Sequence, residues 1–304
     1  MTKKRNRNRK RNRNRIITMI ICAILLTSTV GIFYLSKNSL RKEVNAQEKH
    51  EADQQPNDEN QTVQELPKPP VVKKEDTYIV KESEKVDISY FDDAVFIGNS
   101  RTQGLMLYGG ITNAKFYADK GLMINKVFDK PITIMGEQNK DTVVNALTRN
   151  SFKKYYIMLG TNELGWAYEN VFIEESQKLI DKIKEINPEG IIYIESILPI
   201  SKAKSDNDKV YNNDNVENYN NLLKDLAKKN KVYYVNVAEQ FKDETGNLDA
   251  DASSDGIHLK AEYCKQWTEY LMTHTIKTED YENQHKQKDN DDNVQTKNTS
   301  TEEI

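Results

Sequence analysis

Short apolar segments alternate with longer amphipathic segments over residues 85–276. The apolar segments are rich in β-branched and aromatic residues, which favours strands over helices. Strands that are apolar along their whole length are typical of parallel sheets covered by helices on both faces. The pattern therefore predicts five parallel strands, over residues 94–98, 114–118, 155–160, 191–200 and 232–237.

The segments between the strands carry apolar residues at helical spacing. The clearest predicted helix spans 169–187. A second runs from about 214 to 229, where Asp214 and Glu217 have the spacing of a capping box, and a third follows Lys260. This alternation predicts an α/β fold, a three-layer α/β/α sandwich, with chemistry at the carboxyl ends of the strands.

An uncharged run of twenty residues, Ile16 to Leu35, precedes this region. A helix of that length would span about 30 Å, which matches the core of a bilayer. Residues 1–15 carry nine Lys or Arg and no acidic residue, which favours a cytoplasmic N-terminus. We therefore expect a basic arm over 1–15 and a transmembrane signal-anchor helix over 16–36. The rest of the chain would lie outside the cell membrane.

A cleaved signal peptide is the alternative interpretation of the apolar run. Val44, Asn45 and Ala46 offer small residues for cleavage, and cleavage near Ala46 would release a secreted protein. However, the run is longer than the roughly 7–15 residues of a signal peptide, and Ala46 lies well beyond its end. The uncleaved anchor is therefore preferred.

Polar segments flank the expected domain at both ends. Residues 37–84 are rich in Lys, Glu, Gln, Asn and Asp and contain a proline cluster at 66–70. A segment of this composition cannot bury enough apolar surface to fold alone, so we expect a disordered linker. Residues 277–304 have a similar composition and are expected to form a disordered tail.

Charge and composition exclude several classes of function. The net charge of −3 conceals +9 in residues 1–15 and therefore −12 in the rest of the chain. Nucleic-acid-binding domains carry their basic patch on the folded part, so no nucleic-acid partner is expected. Two cysteines and four histidines lack the spacing of a zinc site. Neither G-x-x-x-x-G-K-[ST] nor G-x-G-x-x-G occurs, and we expect no metal and no cofactor.

Three short motifs follow predicted strand ends or stand late in the chain. Ser100 follows the first strand in FIGNSRTQG, where serine is also a common helix N-cap. Asn162 follows the third strand in GTNE, either as an amide donor or as part of a turn. In DGIHL, Asp255 precedes His258 by three residues, so its carboxylate could orient the imidazole, although the sequence also suits a surface loop.

Together these motifs resemble those of the SGNH, or GDSL-type, hydrolase family over about residues 90–275. The resemblance implies a flavodoxin-like SGNH hydrolase fold and acyl transfer through a serine. It makes Ser100 the nucleophile, His258 the base and Asp255 the acid of a catalytic triad. It also implies an oxyanion hole built from the N–H groups of Ser100 and Gly121 and the side-chain amide of Asn162.

The chain departs from the family pattern at two positions. The first motif usually reads Gly-Asp-Ser and has Asn99 here, and the third usually reads Gly-x-Asn-Asp and has Glu163 here. Neither position is the nucleophile, the base or the acid, so we expect effects on rate and pH optimum. Gly121 fits the lone glycine of the second motif best, with Gly109 and Gly110 as alternatives.

Several side chains near the predicted strand ends are candidates for substrate binding. Aromatic rings there, including Tyr168, could stack on sugar rings or simply pack. The polar segment 201–213 is either a substrate-selecting loop or a disordered insertion. The candidates for substrate binding are Arg101, Tyr108, Glu163 and Trp166.

An esterase tethered outside the membrane by a flexible linker could reach esters of the cell envelope. We therefore expect a serine esterase that removes O-acyl groups, above all acetyl groups, from cell-envelope carbohydrate. Two alternatives remain from the sequence. One is an O-acyltransferase of surface polysaccharide, which would use the same triad, and the other is a non-catalytic surface module that binds glycan or protein.

Overall fold

The computed structural model describes residues 78–277 and residue 281. In this part of the chain, five parallel strands form one sheet in the order β2-β1-β3-β4-β5. The predicted parallel sheet is confirmed. The strands are β1 (Ala94–Gly98), β2 (Lys115–Ala118), β3 (Lys154–Met158), β4 (Ile191–Glu195) and β5 (Tyr233–Val235).

Helices cover both faces of the sheet in the described residues. One face packs against α2, α3 and α5, and the other packs against α1 and α6, so the core has two halves. This is the predicted three-layer sandwich. The helices are α1 (Ser100–Tyr108), α2 (Val143–Thr148), α3 (Glu169–Ile186), α4 (Lys202–Ser205), α5 (Asn213–Asn230) and α6 (Ala261–Thr273). Short 3-10 turns lie at Ile88–Phe91, Ile124–Lys126, Thr161–Glu163 and Val237–Phe241.

The strand order creates a switch point between β1 and β3. The chain goes from β1 outward to β2 and then crosses back to β3 on the other side of β1. In open α/β sheets, ligands bind in the crevice outside the carboxyl ends of the strands at such a point. The segments that follow β1, β2 and β3 therefore come together at one edge of the sheet.

A row of aromatic rings crosses the sheet on the face covered by α1 and α6. Phe116, Phe96, Tyr156 and Tyr193 occupy facing positions on β2, β1, β3 and β4. Neighbouring rings are stacked, with centroids 4.8, 4.6 and 4.5 Å apart. A slip of one residue would turn each ring to the opposite face of the sheet, so the row sets the strand register.

Predicted strand β4 is shorter in the structure than in the sequence pattern. The strand ends at Glu195, whereas the apolar pattern continues to Ile200. Residues 196–200 remain buried but leave the sheet. Their burial produces the same apolar sequence as a strand would, and this explains the difference. The ends predicted for β3 and β5 are also too late, by two residues each.

The start of α5 differs from the predicted capping box. Asn212 is the N-cap, because its side-chain oxygen accepts a hydrogen bond from the N–H of Asn215 at 2.9 Å. Asp214 lies in the first turn, and Glu217 forms an ion pair with Lys242 at 3.0 Å. The asparagine-rich sequence before the helix offers several capping residues, and the structure uses the earliest. The helices predicted over 169–187 and after Lys260 are confirmed.

The domain extends beyond both of its predicted boundaries. Tyr78 and Val80, in the expected linker, form backbone hydrogen bonds with Tyr234 of β5 at 2.7 and 2.9 Å. Tyr281, in the expected tail, is buried against Tyr233. The unpaired edge of β5 explains the first extension, since backbone groups there need partners.

Several predicted segments lie outside the described residues. They are the basic arm over 1–15, the transmembrane helix over 16–36, residues 37–77 of the linker, and residues 278–304 except 281. Within residues 78–277, no helix combines the length and the apolar character that crossing a bilayer requires.

Candidate active site

Ser100 lies at the turn where β1 passes into α1. Gly98 ends the strand, and an added Cβ there would lie only 1.9 Å from Thr102 Oγ1, so the close approach of strand and helix requires glycine. Asn99 is the N-cap of the helix, since its Oδ1 accepts a hydrogen bond from the N–H of Arg101 at 3.0 Å. The capping role considered for Ser100 therefore belongs to Asn99, and the serine hydroxyl is available for another partner.

Ser100, His258 and Asp255 form a continuous hydrogen-bonded line. Ser100 Oγ lies 2.8 Å from His258 Nε2, and His258 Nδ1 lies 2.6 Å from Asp255 Oδ2. The other carboxylate oxygen, Oδ1, accepts the backbone N–H groups of Ile257 and His258 at 2.9 and 2.8 Å. The structure thus brings together the three residues that the sequence motifs singled out.

Asp255 is suited to remain ionised beside the imidazole. Partial burial tends to raise its pKa, but hydrogen bonds from the backbone and side chain of His258 and the N–H of Ile257 outweigh this effect. The pKa lies well below its usual range. An ionised carboxylate accepts the Nδ1–H of His258, and this tautomer leaves Nε2 free to accept the hydroxyl proton of Ser100.

Three candidate oxyanion donors meet at the same edge of the sheet. Ser100 is the first residue of α1, where backbone N–H groups have no acceptor within the helix. Gly121 follows β2 and has φ of 71°, a left-handed conformation that favours glycine. Asn162 follows β3, and one N–H of its side-chain amide donates to Leu122 O at 2.9 Å. The second N–H of that amide remains for a ligand.

The opposite end of α1 lies far from this edge. Gly109 caps the C-terminus of α1 and Gly110 follows it. Eight residues of helix separate them from Ser100, about 12 Å along the axis. Tyr108, a candidate for substrate binding, is half exposed at the same remote end. Gly121 follows β2, which pairs with β1, whereas Gly109 and Gly110 do not lie at this edge.

Glu163 faces into the protein, although the sequence suggested contact with substrate. Its side chain is fully buried, and its carboxylate accepts the backbone N–H groups of Gly160 at 3.0 Å and Ile124 at 2.6 Å. Burial raises its pKa to about 7, despite these hydrogen bonds. Because Ile124 follows Gly121 and Gly160 precedes Asn162, the carboxylate connects the two segments that carry these candidate oxyanion donors.

Arg101 also faces inward and does not lie on the open face of the site. It is 3% exposed, and its guanidinium donates to Leu198 O at 2.6 Å and Pro199 O at 3.2 Å. Burial lowers its pKa to about 10, although the charge of Asp255 acts in the opposite direction. The group is therefore cationic at neutral pH. A buried arginine adjacent to a motif has the same sequence signature as an exposed one, which explains the difference.

The structure also describes two further candidates for substrate binding, residues 166–168 and segment 201–213. Trp166 is half-buried against the core, while Tyr168 is 72% exposed. Segment 201–213 contains α4 and contacts the loop that carries Asp255 and His258, since Ser201 N donates to Gly256 O at 2.9 Å. The segment is thus part of the site's frame rather than a disordered insertion.

Sequence reasoning missed the buried asparagines that support the site. Asn220 binds the backbone N–H and carbonyl of Ile197 at 2.7 and 2.9 Å. Its signal in the sequence is its place on the apolar face of α5, three residues before Leu223 and four after Val216. A polar residue at such a position needs a buried partner.

Within residues 78–277 and 281, no group of three His, Cys, Asp or Glu side chains could hold a metal ion.

This chain was compared with curated proteins and with solved structures. A search of curated proteins found no match. The solved structure of an acetyl xylan esterase is 17% identical, with a TM-score of 0.44, covering 60% of this chain and 99% of that one. A GDSL-like lipase from Bacteroides thetaiotaomicron is 16% identical, with a TM-score of 0.45, covering 59% of this chain and 86% of that one.

The family comparison covers most of the described domain. The model of the GDSL-like Lipase/Acylhydrolase family matches residues 96–263, which is more than half of the chain. The match includes Ser100, Asn162, Asp255 and His258. The chain belongs to the GDSL-like lipase/acylhydrolase family.

Proposed function

We propose that this chain is a serine ester hydrolase that removes O-acyl groups, chiefly acetyl groups, from cell-envelope carbohydrate. The observation that carries this proposal is the line from Ser100 Oγ to His258 Nε2 at 2.8 Å and from His258 Nδ1 to Asp255 Oδ2 at 2.6 Å. Membership of an acylhydrolase family supports ester hydrolysis as the reaction class. No cofactor is required for this chemistry.

The proposed reaction begins with attack of Ser100 Oγ on the ester carbonyl. His258 Nε2 takes the hydroxyl proton as the new carbon–oxygen bond forms, and Asp255 stabilises the resulting imidazolium. When the tetrahedral intermediate collapses, His258 returns the proton to the departing sugar oxygen. The products of this half-reaction are a free sugar hydroxyl and an acyl group on Ser100.

Water completes the proposed cycle. His258 removes a proton from water, the hydroxide attacks the acyl group, and the proton then returns to Ser100 Oγ as the carboxylic acid leaves. In both half-reactions, negative charge develops on the carbonyl oxygen. The N–H groups of Ser100 and Gly121 and the amide of Asn162 would stabilise that charge.

The exposure of the site supports a substrate carried on a large molecule. The side chains of His258 and Asp255 are 45% and 56% exposed, so an ester that projects from a polymer could reach Ser100. The same opening would admit a sugar hydroxyl in place of water, which keeps O-acyl transfer to surface polysaccharide as the second candidate. The exposed ring of Tyr168 is available to a glycan in either reaction.

The proposed location rests on the sequence before the described domain. A basic segment over 1–15 followed by an uncharged run to Leu35 supports a single-pass anchor with a cytoplasmic N-terminus. The active site would then face the cell envelope. Release after cleavage near Ala46 is the alternative outcome. The length of the mature chain, measured by mass spectrometry of protein recovered from both the native membrane and the medium, distinguishes the two.

The test of the activity is acetate release from p-nitrophenyl acetate by the parent protein, Ser100→Ala and His258→Ala. We expect turnover in the parent and background rates in both variants. Ser254→Ala, an exposed serine in the loop before His258, is the matched control and should retain full activity. Equal rates in the parent and Ser100→Ala would contradict the proposal. Acetyl transfer to an added oligosaccharide would identify a transferase.

A further inference from the structure

A buried stretch of irregular backbone, residues 196–201, links the two halves of the proposed site. Side chains satisfy several of its backbone groups, because it has left the sheet. Asn220 binds both polar groups of Ile197, and Asn213 binds the N–H and carbonyl of Ile200 at 2.8 and 2.7 Å. Four hydrogen bonds from α5 thus hold this stretch in one conformation.

Arg101 attaches the same stretch to the helix of the nucleophile. Its two terminal nitrogens donate to the consecutive carbonyls of Leu198 and Pro199, at 2.6 and 3.2 Å. A planar guanidinium suits such a pair of acceptors, and a lysine could not span both in the same way. Arg101 follows Ser100 directly, so any movement of this contact acts on the turn that carries the nucleophile.

The other end of the stretch contacts the loop of the acid and base. Ser201 N donates to Gly256 O at 2.9 Å. Gly256 lies between Asp255 and His258, has φ of 81°, and would place an added Cβ 2.3 Å from Ser201 Oγ. A side chain at position 256 would therefore force Ser201 to move and would strain the backbone. A short path of backbone and one side chain leads from Ser100 to His258.

The burial of Arg101 requires a reason. Its guanidinium is cationic and makes no hydrogen bond to a carboxylate of the described residues, and its Nε has no partner there. A buried cation of this kind costs stability relative to an apolar side chain of similar size. Asp255 is the charged group that acts on it. The cation lies on the helix that begins at Ser100, and the charge of Asp255 stabilises it.

We propose that Arg101 is a positioning residue, which sets the distance between Ser100 and His258 by clamping residues 198 and 199. This inference rests on the proposed function. Arg101 does not touch the reacting atoms. It acts through the buried stretch and through the loop that Ser201 holds.

The kinetic test compares Arg101→Met, Arg101→Lys and Leu226→Ala. Leu226 is a buried core residue of α5, and its truncation supplies a loss of stability away from the clamp. At one assay temperature well below the Tm of every variant, we expect Arg101→Met to lower kcat about tenfold to a hundredfold, with KM nearly unchanged. Arg101→Lys should fall between Arg101→Met and the parent, because it keeps the charge and one contact. Leu226→Ala should retain the parent kcat.

A second measurement does not depend on turnover. Backbone hydrogen exchange over residues 252–260 should accelerate in Arg101→Met and not in Leu226→Ala. The proposal is overturned if folded Arg101→Met keeps the parent kcat, or if its kcat falls only as much as that of Leu226→Ala. Unchanged hydrogen exchange over residues 252–260 also overturns it. If Arg101→Met fails to fold, Arg101→Lys decides by the same criteria.

The failure of the proposed function would look different. A fluorophosphonate probe would then leave Ser100 of the parent unlabelled, and the exchange of the loop would still test the clamp. If the probe labels Ser100 of the parent and of Arg101→Met at the same rate, only the proposed role of Arg101 fails, and the proposed function stands.

Discussion

The protonation of Glu195 provides a direct test of how this fold buries charge. Glu195 ends β4, is 1% exposed, and accepts a hydrogen bond from Trp267 Nε1 at 2.8 Å. Burial raises its pKa from 4.5 to about 8, and the bond from Trp267 offsets only part of this effect. We therefore expect the carboxyl group to be protonated in the folded protein at pH 7.

The sign of the effect on stability follows from proton linkage. The folded protein holds this proton more tightly than the unfolded chain, so the free energy of unfolding falls as the pH rises from 4.5 to about 8. The difference between these two pKa values corresponds to about 5 kcal/mol. This stability is fully present below pH 4.5 and is lost above pH 8. Glu163, with a pKa raised to about 7 by burial, acts in the same direction.

Trp267 can report the protonation directly. The chain has two tryptophans, so a Trp166→Phe background leaves Trp267 as the sole source of tryptophan emission. We expect its fluorescence to change with a midpoint near pH 8 and to lose this change in Glu195→Gln. In denaturant titrations, Glu195→Gln should match the parent near pH 5 and exceed it by several kcal/mol near pH 9, because glutamine cannot ionise.

Two outcomes would refute this reasoning. Emission that stays constant from about pH 6 to about pH 9 would show that Glu195 does not titrate in that range. A Glu195→Gln variant that is less stable than the parent near pH 9 would show that the carboxylate is stabilised in the fold. Glu163→Gln is the control that separates the two buried carboxyl groups, because it removes the transition near pH 7 alone.

Two further predictions concern Asn162 and a pair of glycines. Asn162→Ala should lower kcat about 10²–10³-fold with little change in KM, since one proposed oxyanion donor is lost. The rate of ester hydrolysis at saturating substrate measures this kcat. A change confined to KM would assign Asn162 to substrate binding instead. Gly121→Ala should lower the free energy of unfolding by about 1–2 kcal/mol, because φ is 71°. An added Cβ meets nothing within 4 Å, so backbone strain is the whole effect. Gly104→Ala, inside α1 with only an ordinary contact to Cys264, should instead stabilise by about 0.5–1 kcal/mol. Thermal unfolding compares the two glycine variants, and equal signs would contradict the argument.

The sheet and the contact between Asp255 and His258 were accessible from the sequence because each leaves a local signal. A strand buried on both faces is apolar along its length, as β1 is. Asp255 and His258 lie three residues apart in one loop, so their contact needs no knowledge of the rest of the fold. The distance between Ser100 and His258 depends on the whole sheet, and only the family resemblance joined them.

The orientation of charged side chains near the motifs was not accessible in the same way. Arg101 and Glu163 were expected to face substrate, and both bind buried backbone instead. The partners of Arg101 lie 97 and 98 positions away, and Ile124 lies 39 positions from Glu163, so sequence spacing does not indicate these contacts. The end of β4 was misplaced for a related reason, because burial and strand pairing leave the same apolar pattern.

The pairing of Tyr78 and Val80 with β5 bears on how this domain should be handled as an isolated protein. Sequence composition would suggest a truncation at residue 85, which removes these partners. The backbone groups of Tyr234 would then be open on an edge strand, and such an edge is a template for association with another chain. A fragment that begins before Tyr78 keeps the edge covered and should remain monodisperse at concentrations where the shorter fragment aggregates.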